Sequence, residues 1–104
     1  MASTGLPFQP RGGVSSTTNI AVTASSQQLT LPANGSDGGS LILTNIGTQT
    51  VFWCYGSATA SVSTSMPLLA GTSQTVSLPG GVSQISVIAG SSGSTLYATV
   101  GDGI

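Results

Sequence analysis

The sequence predicts an all-β protein: an antiparallel β-sandwich or jelly-roll-like barrel of about eight short strands, preceded by an extended N-terminal arm. Three observations carry this. Ser, Thr and Gly dominate the 104 residues with 18, 14 and 15 copies, while Glu and Lys are absent and Ala is scattered. That balance favours strands and turns over helices. From Asn19 onward, short apolar runs recur at roughly eight to twelve residues, each ended by Gly, Pro, Asn or Ser, which is the spacing of a sandwich or barrel. Within the runs, a period of two puts Val51, Trp53 and Tyr55 on one face, Ile85 and Val87 on another, and Leu96, Ala98 and Val100 on a third.

The chain divides into an arm, residues 1–18, and a single β-sandwich domain, residues 19–104; at this length a second core is not expected. In the arm, Pro7, Pro10 and Gly12-Gly13 interrupt any periodicity, and Leu6, Phe8 and Val14 are the only apolar anchors. Strands are predicted at 19–23, 27–31, 40–45, 50–55, 60–63, 74–78, 84–88 and 95–100, with a short edge segment at 66–69. Turn chemistry is supplied by Asn34-Gly35, Gly38-Gly39, Asn45-Ile46-Gly47, Pro79-Gly80-Gly81 and Gly90-Ser91-Ser92-Gly93. Pro32 and Pro79 each follow a Leu and stop a strand. The runs Leu41-Ile42-Leu43, Phe52-Trp53 and Val87-Ile88 break the alternation, which predicts strands covered on both sides, with another subunit as one of the covers.

Arg11, Asp37 and Asp102 are the only charged residues, whereas an ordinary soluble domain is about one quarter charged. The positive mean hydropathy and the lack of long polar tracts argue against disorder. A surface of hydroxyls and amides with a net charge of −1 gives little colloidal repulsion, so much of it is expected to be covered by partners. One cation excludes nucleic-acid binding by phosphate neutralisation and a polybasic membrane site. No apolar window spans a bilayer, and the first thirteen residues lack the basic and apolar regions of a signal peptide, so neither a leader nor a membrane span is expected.

With no His, Glu or Lys, the chain lacks imidazole bases, Schiff-base amines and the common metal triads, so no catalytic, cofactor or metal site is expected. Asp37 and Asp102 are the only carboxylates, and each precedes Gly as tight turns select, which argues against a glycosidase pair. Asn34-Gly35-Ser36 matches a glycosylation sequon but reads better as a turn. Cys54, alone and between Trp53 and Tyr55, reads as a small buried hydrophobe. A sugar-binding platform needs two of Phe52, Trp53, Tyr55 and Tyr97 exposed on one face; their strand context assigns them to the core. Arg11 has no carboxylate nearby in sequence, which leaves two readings: a salt link to another subunit through Asp37 or Asp102, or plain solvent exposure.

Four segments, Leu41-Ile42-Leu43-Thr44-Asn45-Ile46-Gly47, Val51-Phe52-Trp53-Cys54-Tyr55-Gly56, Met66-Pro67-Leu68-Leu69-Ala70-Gly71 and Ser94-Thr95-Leu96-Tyr97-Ala98-Thr99-Val100-Gly101-Asp102-Gly103, resemble small structural proteins of tailed-bacteriophage virions. The resemblance spans roughly Leu29 to Gly103. It implies a capsid decoration, or cement, protein on the capsid surface that clamps neighbouring major capsid protein subunits, often as a homotrimer. In that role Leu6 and Phe8 are the expected partner-binding anchors, with Arg11 beside them, and Pro7 and Pro10 limit the entropy lost when the arm docks. Rival readings are a tail, fibre or head-to-tail component of the same kind of particle, and a carbohydrate-binding β-sandwich module that uses Trp53 or Tyr97.

Overall fold

In the computed structural model the chain is an all-β sandwich. The described residues are 9–10, 17–32 and 39–102. Leu6, Phe8, Arg11 and Asp37 therefore lie outside them, as do the turn at Asn34-Gly35 and Gly38. The strands are β1 Gln9–Pro10, β2 Thr17–Val22, β3 Gln27–Thr30, β4 Gly39–Gly47, β5 Val51–Tyr55, β6 Met66–Leu68, β7 Ser73–Leu78, β8 Gln84–Ala89 and β9 Ser94–Asp102. All pairings are antiparallel.

The pairings nest. β2 pairs with β9, β3 with β8, β4 with β7 and β5 with β6, so the chain folds as a long hairpin. Two further pairings, β4 with β9 and β5 with β8, wrap that hairpin into two sheets. One has the order β2-β9-β4-β7, with the two-residue β1 continuing the β2 edge of β9; the other is β3-β8-β5-β6. Of the two architectures the sequence allows, this nested double sheet is the jelly roll.

The inward faces are those that period-two alternation selects. Leu41, Leu43, Leu96, Ala98 and Val100 of the first sheet meet Val51, Trp53, Ile85 and Val87 of the second, all at most 4% exposed. Val22, Leu29, Leu31, Leu68, Leu78 and Ala89 complete the core. Complete burial of a Leu, Ile or Val stabilises by about 1.5–3 kcal/mol, so these positions dominate the fold's apolar contribution.

Four differences from the sequence reading have physical causes. β2 starts at Thr17, inside the predicted arm, because exposed Thr17 and Asn19 alternate with half-buried Thr18 and Ile20; two of those positions carry no hydropathy signal. Thr17 Oγ1 lies 2.9 Å from Thr99 Oγ1 across the strand pair. Within the same predicted arm, Gln9 and Pro10 pair with Asp102 and Gly101, an edge position that tolerates a proline lacking an N–H. That pairing also places Gly101 and Asp102 in β9, not in a turn. Asn45 and Ile46, predicted as a turn, are strand residues of β4, and of that trio only Gly47 has the positive φ a reversal uses.

The fourth difference concerns residues 60–63, which are not a strand. Ser61 N–H donates to Ser65 Oγ (3.0 Å), Ser63 N–H to Ser61 Oγ (3.2 Å), and Ser65 N–H to the Ser61 carbonyl (3.1 Å). Serine side chains here offer the backbone local partners in place of a ladder. The loop instead returns over the outer face of the β3-β8-β5-β6 sheet. Ser86, on that outer face, is fully buried and donates to the Gly56 carbonyl at 3.0 Å; Ala60 is buried, its N–H held by Ser26 Oγ at 2.9 Å. Part of the cover anticipated from another subunit is thus supplied by the chain itself, while Phe52 and Ile88, opposite one another, stay half-buried.

Candidate binding surfaces

Two surfaces of the described residues stand out, and both are products of strand register. The first is the outer face of the β2-β9-β4-β7 sheet. Alternation that sends Leu41, Leu43, Leu96, Ala98 and Val100 inward turns Ile42, Thr44, Thr95, Tyr97 and Thr99 outward. Register aligns Thr17, Thr99, Ile42 and Thr75 in one row and Asn19, Tyr97, Thr44 and Ser73 in the next. Thr44 Oγ1 and Ser73 Oγ are 3.1 Å apart, so hydroxyls interact across strands within the second row. No described side chain of this face is charged. Tyr97, half-buried at its centre, lies on this outer face and not in the core to which its strand context assigns it, because it alternates with the inward Leu96 and Ala98; Trp53, only 4% exposed, does belong to the core.

The second surface is the open side of the sandwich, where edge strands β6 and β7 of opposite sheets face each other. A cleft of about 360 Å³ opens there, lined by Trp53, Cys54, Tyr55, Thr64, Ser65, Met66 and Val76. The Trp53 and Tyr55 rings meet edge to face, with centroids 5.1 Å apart and planes at 84°. The Tyr55 hydroxyl donates to the Ser77 carbonyl and so links the two sheets across the cleft. Burial raises the Tyr55 phenol above its ordinary pKa, because the charged phenolate is the form that desolvation disfavours. The Trp53 indole N–H is buried without a hydrogen-bond partner.

Of the cleft residues, Met66 and Tyr55 are exposed at 50% and 37%; Leu69 and Val62, in the segments flanking β6, are exposed at 62% and 49%. Four of the five exposed large hydrophobics of the described residues therefore belong to β5, β6 and the segments flanking β6, the fifth being Ile46. The sequence reading placed Met66 to Leu69 only as a short edge segment. Its apolar run gave no sign of which residues face outward, since that depends on where β6 sits in the sheet.

Cys54 lies on the outer face of its sheet and is half-buried, with Sγ 4.0 Å from the Ala58 carbonyl oxygen; it is not the fully buried residue its apolar neighbours suggest. Trp53 and Tyr55 point to the opposite face. Among the described residues no cluster of three or more His, Cys, Asp or Glu side chains forms, so no metal site is assembled there.

No protein-family model matches the chain. No curated protein matches it either. Among solved structures, a crystal structure of PirA is similar, with a TM-score of 0.53 over 86% of this chain and 97% of that one, at 11% identity. A likeness at that identity concerns architecture, and it places the chain among eight-stranded antiparallel β-sandwiches.

Proposed function

We propose that this chain is a non-enzymatic virion structural protein that decorates and stabilises a bacteriophage capsid by clamping neighbouring major capsid protein subunits. The observation that carries the reading is the outer face of the β2-β9-β4-β7 sheet: rows of Thr, Ser, Asn and Tyr with Ile42 and Ile46, and no described charge. Such a face attaches through many individually weak contacts, which many copies on one shell multiply. It also suits a neighbour of matching neutrality, since no side chain there steers a charged ligand. The absence of His, Glu and Lys supports a binding role over a catalytic one. Leu6, Phe8 and Arg11 are the proposed further anchors on the capsid side.

The test is to locate the chain in purified particles and then to place a charge on the proposed face with Thr75→Arg. Thr75 is exposed, so the variant should fold normally yet occupy the shell far less than the wild type. A chain found on the tail, or shell occupancy indifferent to Thr75→Arg, rejects the assignment.

Tyr97 among Asn19, Thr44 and Thr95 favours one second reading, a carbohydrate-binding module. Saturable glycan binding that Tyr97→Ala abolishes, without particle attachment, selects it over the first.

A further inference from the structure

We propose that the β7 edge and the cleft beside it form one peptide-binding site. It takes an extended, uncharged segment of a partner polypeptide as an added strand and seats one aliphatic side chain of that segment on Trp53, Tyr55, Met66 and Val76. Three observations carry the inference. The first is the unpaired edge of β7. The Asn45 N–H donates to the Thr72 carbonyl at 2.9 Å, which fixes the phase of the β4–β7 ladder. With Leu43 opposite Gln74 and Leu41 opposite Val76, the backbone groups of Gln74, Val76 and Leu78 turn to β4, and those of Ser73, Thr75 and Ser77 turn away from it. The Ser77 carbonyl accepts from the Tyr55 hydroxyl across the cleft, in agreement with that phase. β7 has six residues, and neither Pro nor charge protects its edge. β6, the facing edge, has three residues and its Pro67 has no N–H to offer.

The second is what lies beside that edge. Side chains alternate along β7, so Thr75 is exposed on the outer sheet face while Val76 lines the cleft. A strand laid along β7 continues the sheet over the open side of the sandwich, and its residue opposite Val76 points as Val76 does, into the cleft. There it meets the edge-to-face Trp53–Tyr55 pair and Met66, in a space of about 360 Å³. Main-chain hydrogen bonds then supply affinity and the cleft supplies selectivity, which is how sheet edges recognise extended peptides. β2, at the far edge of the same sheet, is separated from the cleft by β9 and β4.

The third is charge. Neither the β7 edge nor the cleft lining holds a charged residue, so a charged segment would lose hydration there and meet no counter-charge. The chemistry that fits is a Leu, Ile or Val flanked by Ser, Thr or apolar residues. This inference stands apart from the capsid reading, which uses the outer sheet face, and its test is made in solution with no particle present.

The test is an NMR titration of the isotopically labelled full-length chain with the peptide acetyl-Ser-Thr-Leu-Thr-Ser-amide. Saturable shift changes should fall on the amides of Ser73, Thr75 and Ser77 and on the Trp53 indole, and should spare Thr17, Asn19 and Ala21 of β2. Thr75→Pro removes an outward N–H while leaving the β4 ladder intact, so it should weaken binding about tenfold or more. A probe with Ser in place of Leu should bind about tenfold more weakly, because it gives up the buried aliphatic group. Met66→Asp, at an exposed position in the cleft wall, should fold normally and weaken binding as well. No saturable binding at millimolar probe overturns the proposal, as do shifts that run along β2 instead. Affinity indifferent to Thr75→Pro overturns it too; if that variant fails to fold, affinity indifferent to Met66→Asp does so. A dimer of the chain alone that Thr75→Pro dissolves gives the edge to a second copy and overturns the proposal.

Discussion

The corner where β4 passes into β5 against β9 and the β6–β7 side of the molecule both join the two sheets, yet they do so by opposite means. At the corner, backbone lies against backbone. A Cβ added to Gly47, whose φ is +149°, would stand 2.3 Å from the Gly93 carbonyl oxygen and 2.5 Å from Ser94 Cα. Ser94 Oγ accepts from the Gln49 N–H (2.9 Å) and donates to the Gln49 carbonyl (2.7 Å). Asn45, 1% exposed, sends its Nδ2 to the carbonyls of Gln49 (2.8 Å) and Leu68 (2.9 Å), which ties β4 to β6. On the β6–β7 side there is instead a cleft, bridged by the Tyr55 phenol. The corner ties the two sheets through Asn45 and the tight turn beside it, whereas the side leaves a cleft between them.

The strongest way to break this comparison is Gly47→Ala. The two nearest atoms are backbone and cannot rotate away, and the positive φ strains any side chain, so the substitution should destabilise by more than about 3 kcal/mol in urea unfolding. Gly90→Ala, with open space around it, should stay within about 0.5 kcal/mol. Equal effects would mean that the corner is not the tight element described here.

Next in size is Asn45→Ala, expected to cost about 1–3 kcal/mol because it removes the side-chain donor to the buried Leu68 carbonyl. The loss is moderated because Asn45 Oδ1 is itself buried without a partner and disappears with the substitution. A neutral result would show that β4 and β6 are held together by apolar packing alone.

Tyr55→Phe probes the bridge over the cleft and should cost about 1 kcal/mol, the value of one hydrogen bond. Its pH dependence has a definite sign. The folded-state phenol is raised above the unfolded one, so its contribution is fully present below the unfolded pKa, about 10, and is lost as pH rises through the higher folded value. Alkaline titration of stability should therefore show a component above about pH 10 that Tyr55→Phe lacks. A decline of equal steepness in both proteins would remove Tyr55 from the account. The smallest effect belongs to Leu69→Asp, which should change the stability of the isolated fold by no more than about 0.5 kcal/mol, since Leu69 is mostly exposed. A large loss would mean that the open side carries structural weight like the corner.

Much of the body is legible in the sequence because the side-chain period of a strand is two and the core excludes polar groups. Alternation alone assigns Val51, Trp53 and Tyr55, Ile85 and Val87, and Leu96, Ala98 and Val100 inward, and all are buried except Tyr55, which ends β5 at the cleft and is 37% exposed. Where hydropathy is silent, reading fails. Thr17 and Thr18 enter a strand with no apolar signal of their own, and the run at 60–63 looks like a strand although its serines bond locally. Asn45 resembles a turn residue, and only burial between two sheets makes it a donor to Leu68. The cleft is assembled from Trp53 and Tyr55 on β5, Met66 on β6 and Val76 on β7, and no local pattern announces such a meeting.

The sequence by itself determined that the chain is all-β, that most of its strands fall where apolar residues alternate between Gly- and Pro-rich turns, and that it carries no His, Glu or Lys. Those properties depend on residue type and local spacing, which a chain carries whether or not it is folded. Tertiary structure alone decided that the hairpin nests into a jelly roll, that a loop returns over one outer sheet face, and that Trp53, Tyr55, Met66 and Val76 meet in one cleft. These outcomes depend on long-range pairing between strands as far apart in sequence as β2 and β9. Alternation tells a strand which face to bury, but not which neighbour will bury it.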